Sequence, residues 1–128
     1  MGKPIKSVLV ADDNSQFRES LITFLREEDY EVEGAYDGDE ALRKFELQSF
    51  DLVLLDIVMP NKEGFETMEI LLEKNPDQYI IVMTGGNRWV SHFYLDSARE
   101  RGAKVVLGKP FPMNELFEAI KSLEDLDS

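Results

Sequence analysis

Asp56 closes the run Leu52-Val-Leu-Leu55, so a carboxylate stands at the end of a segment otherwise suited to a protein interior. Asp12 and Asp13 follow a similar run, Ser7-Val-Leu-Val-Ala11; Thr84 follows Ile80-Ile-Val-Met83, and Lys109 lies just beyond Val105-Val-Leu107. Two like charges about 4 Å apart repel by roughly 4 kcal/mol at an effective dielectric of about 20, so carboxylates gathered at one point require a cation. Lys109 supplies one. A small oxygen-seeking dication, magnesium foremost, would supply another by binding carboxylates and water octahedrally. A carboxylate beside such a metal can accept a phosphoryl group while metal and lysine neutralise its equatorial oxygens. Thr84 would then donate to a phosphoryl oxygen, and Gly85 and Gly86 would leave room and backbone donors around the incoming group.

The surrounding segments determine whether these residues can meet. The four apolar runs are short, continuous and rich in β-branched residues, as parallel strands covered on both faces are, and they read as central strands. Tyr30 to Tyr36 alternates apolar and polar residues, as a strand nearer a sheet edge does. Helical spacing links Phe17, Leu21, Phe24 and Leu25; Leu42 and Phe45; Phe65, Met68 and Leu72; and Leu116, Ile120 and Leu123, each set marking one buried face. Asn75-Pro76 stops the third helix, Gly102 follows the charged end of a fourth, and Pro112 opens a fifth. Five strands alternating with five helices form a mostly parallel sheet with helices on both faces, joined by right-handed crossovers. Ligands bind such sheets outside the carboxyl ends of the strands, and that edge is where the polar residues fall.

Composition narrows the function. The 128 residues suit one domain, with a core from about 5 to 123 and a frayed end at Glu124 to Ser128. A hydrophobic content of 43% and a charged content of 31% are those of an ordinary soluble globular chain. Neither a membrane-length apolar run nor a secretion signal is present, so the expected location is the cytoplasm, without membrane binding. The absence of cysteine excludes disulfides, thiol catalysis and cysteine-ligated zinc. A net charge of −12 argues against nucleic-acid binding by the domain itself and favours cations or basic protein faces.

Four stretches, "VLVADDN", "DLVLLDIVMPNKEG", "IIVMTGG" and "KVVLGKPF", taken in order and spacing, resemble the receiver domains of two-component response regulators, the CheY-like family, from about Ile5 to Leu123. The resemblance implies a flavodoxin-like α/β fold, (βα)5 with strand order 2-1-3-4-5. It implies Asp56 as the phosphorylated residue, with Asp13 a direct ligand of Mg2+, Asp12 a direct or water-bridged one, and the Val58 carbonyl a further ligand. Thr84 becomes the switch hydroxyl and Lys109 the phosphoryl-pairing cation, before a cis Lys109-Pro110 bond. The implied donor is a phosphohistidine on a sensor histidine kinase or histidine phosphotransfer protein, and the implied recipient of the signal is a downstream effector protein. Transfer and later hydrolysis are self-catalysed, so the domain is a switch and not an enzyme with an external substrate. One position departs from the pattern: three residues before the lysine, where the family often carries Tyr or Phe, stands Val106.

Other readings compete residue by residue. Asp12-Asp13-Asn14 is also a helix cap; Thr84 can satisfy a strand-end backbone group, Gly85-Gly86 can be a plain turn, and Lys109 can be a solvated lysine. His92 reads as a helix-surface residue. Trp89 and Phe93 lie beside the stripe Val90, Tyr94, Ala98, either as packing or as a partner-binding patch. A flavin or nucleotide binder would need a Gly- or Ser-rich phosphate loop where "ADDNS" stands. A phosphatase resembling the haloacid dehalogenases would need Asp at position 58. The remaining alternative is a receiver-like binding module that works without phosphorylation, which Val106 alone suggests.

Overall fold

The computed structural model describes residues 4–57, 63–85, 100 and 102–126. Along the chain run β1 (Ser7–Ala11), α1 (Ser15–Glu27), β2 (Glu31–Ala35), α2 (Gly38–Leu47), β3 (Leu52–Asp56), α3 (Glu63–Lys74), β4 (Tyr79–Thr84), β5 (Val105–Gly108) and a helix here named α4 (Met113–Leu126). The strands form one parallel sheet in the order β2-β1-β3-β4-β5. The helix expected between Gly86 and Arg101, with Trp89, Val90, His92, Phe93, Tyr94 and Ala98, lies outside the described residues except at Glu100.

The continuous apolar runs are explained by what lies on each side of the sheet. Val8, Val10, Leu52, Leu54, Ile81 and Met83 pack with Leu21, Ile22 and Leu25 of α1 and Leu116, Ile120 and Leu123 of α4. Their neighbours Leu9, Ala11, Val53, Leu55, Ile80 and Val82 point the other way, to Ala41 of α2 and Met68 and Leu71 of α3. Because side chains alternate along a strand, a strand with helices over both faces must be apolar at every position.

Three expectations need correction. Val105-Val-Leu107 is not central: β5 is an edge strand, and two of those three residues are only partly buried. Phe24 is 47% exposed, because the buried stripe of α1 runs through Leu21, Ile22 and Leu25, and at about 100° per residue Phe24 falls roughly a quarter-turn or more from its centre. The carboxyl end does not fray at Glu124. There α4 continues to Leu126, and the Glu124 Oε2 accepts the Ile5 amide at 2.8 Å, tying the last turns to the segment that leads into β1.

Helix termini fall where the punctuation predicted. The carboxyl end of α3 comes at Lys74, before Asn75-Pro76, and Pro112 stands immediately before α4, its carbonyl accepting the Glu115 amide at 3.0 Å. Gly102 holds φ at +114°, a conformation that side-chain-bearing residues rarely adopt. No helix among the described residues is long and apolar enough to cross a membrane.

Candidate functional site

Strand register brings the polar residues to one edge. Ala11 pairs with Leu55, Asp56 with Met83 and Thr84 with Gly108, so the ends of β1, β3, β4 and β5 lie side by side. Asp12 leaves β1 at the level where Asp56 ends β3. Beyond β5, the Lys109 amide donates to the Thr84 carbonyl at 2.7 Å, and the Lys109-Pro110 bond is cis.

The loop after β1 is fixed by its own side chains. Asn14 caps α1, its Oδ1 accepting the Phe17 amide at 3.0 Å, while the Asn14 amide donates to Asp12 Oδ1 at 2.9 Å. Arg18, one turn into the helix, donates from a terminal guanidinium nitrogen to the Asp12 carbonyl at 2.7 Å. The cap that competes with a binding role is therefore made by Asn14, which leaves the second Asp12 oxygen and all of Asp13 for other work.

Carboxylate oxygens of Asp12, Asp13 and Asp56 all lie within 4.8 Å of one another. Asp12 is fully buried and Asp56 is 3% exposed, while Asp13 is exposed, so the cluster opens to solvent on the Asp13 side. Lys109 reaches in from β5, its Nζ 2.6 Å from Asp12 Oδ2 and 3.2 Å from Asp56 Oδ2. The buried Asp12 Oδ2 has that ammonium as its charge partner and no further donor among the described residues. Burial pulls the Lys109 ammonium down, but pairing with Asp12 and Asp56 outweighs it and holds the group above the ordinary lysine value.

One ammonium facing three carboxylates leaves an anionic excess, and buried carboxylates short of positive charge are costly. A hard dication fits that deficit. Ligands on opposite sides of an octahedral magnesium stand about 4 Å apart, close to the spread of these oxygens. Asp12, Asp13 and Asp56 would hold it. Val58, the fourth expected ligand, lies outside the described residues, as does Gly86.

Thr84 is fully buried at the last position of β4, and its hydroxyl faces the Gly85 carbonyl at 3.4 Å, a long contact that holds it weakly. Val106 is partly buried against the core face shared with Phe65 and Leu72. Two neighbours of the site were not singled out from the sequence. Arg18 gave no signal, since one arginine on a helix is usually solvated. Phe17 was legible only as part of a helical stripe, although its ring lies beneath the Lys109 ammonium, 4.5 Å from the centroid.

A sequence profile of the response regulator receiver domain matches residues 8–121. The chain belongs to the response regulator receiver family. The receiver protein CpdR of Brucella abortus is 33% identical over 119 residues, covering 93% of this chain and 97% of that protein. The transcriptional regulatory protein PdtaR of Mycobacterium tuberculosis is 34% identical over 117 residues, covering 91% of this chain but 55% of that one. This receiver therefore spans about half the length of the curated relatives that it matches first. Among solved structures, the response regulator TrrA of Thermotoga maritima in complex with Mg2+ and BeF shares 39% identity at a TM-score of 0.79, over 93% of this chain and 99% of that one. A CheY-like receiver domain protein from Methanospirillum hungatei shares 32% identity at a TM-score of 0.83, over 94% of each.

Proposed function

We propose that this receiver domain is a magnesium-dependent phosphoryl switch in which Asp56 is the acceptor. The observation that carries the reading is the cluster itself: three carboxylates whose oxygens lie within 4.8 Å, with one lysine between two of them. A carboxylate oxygen of Asp56 attacks phosphorus in line, the bond from phosphorus to the donor's imidazole nitrogen breaks, and an acyl phosphate is left on Asp56. Magnesium, when bound by Asp12, Asp13 and Asp56, would neutralise charge on the phosphoryl oxygens. Lys109 supplies the second positive charge. Thr84, weakly held at Gly85, is free to turn its hydroxyl toward a phosphoryl oxygen.

The donor in this reading is a phosphohistidine on a sensor histidine kinase or phosphotransfer protein, and the recipient is an effector protein. Self-catalysed hydrolysis resets the domain, which has no external substrate. The relative crystallised with Mg2+ and BeF supports a metal site with room for a tetrahedral group. In this chain Val106 stands where an aromatic often couples the switch, so the movement of Thr84 must be transmitted through smaller side chains.

Intact mass spectrometry after incubation with acetyl phosphate tests the reading. One added phosphoryl group is expected in wild type with magnesium, and none in Asp56→Asn or in chelated wild type. A folded, magnesium-binding wild type that gains no mass would overturn it in favour of a phosphorylation-independent binding module.

A further inference from the structure

The Lys109 ammonium has contacts of two kinds. Two are anionic, Asp12 Oδ2 at 2.6 Å and Asp56 Oδ2 at 3.2 Å. The third is the face of the Phe17 ring, whose centroid lies 4.5 Å from Nζ, within the range in which a cation is drawn to the negative face of an aromatic quadrupole. That ring is braced. Phe111 meets it edge-on, with centroids 5.7 Å apart and planes at 84°. The Phe17 amide is bonded to Asn14, and the Asn14 amide to Asp12, so the first turn of α1 ties the ring to the acid pair.

The two kinds of contact respond differently to ligands. A metal on the cluster competes for the Asp12 and Asp56 oxygens, and a phosphoryl group occupies Asp56 outright. Neither event alters the ring face. A lysine side chain is a flexible four-carbon stem, so an ammonium drawn off both carboxylates by the metal would disperse before a phosphoryl group arrives to pair with it, unless something uncharged retained it. We propose that Phe17 is a positioning residue for Lys109, its ring face holding the ammonium beside Asp56 in the metal-loaded site until the phosphoryl oxygens pair with it. The proposal rests on the phosphoryl-switch reading for its purpose, but not for its spectroscopic measurement.

A double-mutant cycle of Phe17→Leu and Lys109→Met, with Phe17→Tyr as the conservative variant, provides the test. It is read on the rate of phosphorylation by acetyl phosphate at saturating magnesium, and the position of Lys109 is read separately from ring-current shifts of its ε-methylene protons in the magnesium-loaded protein. Leucine retains apolar volume but has no ring face. With Lys109 present, Phe17→Leu should slow phosphorylation by about three- to tenfold, the size of one cation-π contact, and Phe17→Tyr should stay within about twofold. In the Lys109→Met background the same leucine substitution should change the rate by less than about twofold. Upfield ring-current shifts of the Lys109 ε-methylene protons should persist in wild type with magnesium and be lost in Phe17→Leu. Equal losses of rate in both backgrounds, or no loss with Lys109 present, would overturn the proposal and make Phe17 a packing residue. If Phe17→Leu fails to fold, Phe17→Met takes its place. Ring-current shifts that persist with magnesium, without phosphorylation of wild type, would sink the switch reading while sustaining the role of Phe17. Phosphorylation of wild type without coupling would do the reverse.

Discussion

At the scale of the residue, the site is held together by one positive charge against three negative ones. Asp56→Asn removes one carboxylate and leaves Lys109 its contact with Asp12, so in chelator at low ionic strength it should raise the unfolding free energy by about 1 kcal/mol. Urea denaturation measures this, and a loss of stability would mean that the pairing of Lys109 with Asp56 outweighs the repulsion. Lys109→Met should be costly without metal, by about 3 kcal/mol at neutral pH, because it strands Asp12 and Asp56 in the interior. The pH dependence has a definite sign. A lysine raised above its ordinary 10.5 stabilises the fold fully below that value and loses the contribution as pH climbs through its folded value. Tyr30, pushed up by burial and by Glu124 and Glu28, adds an alkaline loss to wild type and variant alike. The excess fall in wild-type stability above pH 10.5 should therefore disappear in Lys109→Met, and parallel curves would contradict the placement of the charge.

At the scale of the element, the position of Asp56 depends on how closely α3 approaches the end of β3. A Cβ on Gly64 would stand 2.4 Å from the Ile57 Cα and 2.7 Å from the Asp56 carbonyl oxygen, backbone atoms that cannot turn aside. Gly64→Ala should therefore destabilise the domain by about 2 to 3 kcal/mol and weaken magnesium binding, whereas Gly108→Ala, with nothing within 4 Å, should do neither. Calorimetry on both variants would show whether the contact matters. The strands and helices were legible because two-sided burial demands unbroken apolar runs and one-sided burial demands helical spacing. What misled was degree of burial. Val105-Val-Leu107 has the composition of a central strand, yet composition does not reveal that it pairs on one side only among the described strands, and Phe24 fell within a helical period without lying on its centre line. The carboxylates and Lys109 were legible because charged groups stood at the ends of apolar runs. Phe17 was not, because a phenylalanine spaced for a helix core looks the same whether its ring faces leucine or an ammonium.

For the molecule as a whole, a net charge of −12 and a carboxylate cluster act in the same direction, so cations should stabilise the fold in two distinguishable ways. Sodium chloride screens the surface charge gradually. Magnesium at about one hundred times its dissociation constant should add about 2.7 kcal/mol to the folded state by linkage, and far less in Asp56→Asn. Thermal melts at matched ionic strength separate the two effects, and a magnesium response equal to that of sodium chloride would argue against a specific site.

The central claim is that Asp56 receives the phosphoryl group, and its location can be read directly. Borohydride reduces an acyl phosphate to the alcohol with loss of phosphate, so treatment of the phosphorylated protein would convert the modified aspartate to homoserine, which peptide mass mapping can place. The prediction is homoserine at position 56 alone. Homoserine at position 12 or 13, or at none of the three after a confirmed phosphoryl gain, would contradict it.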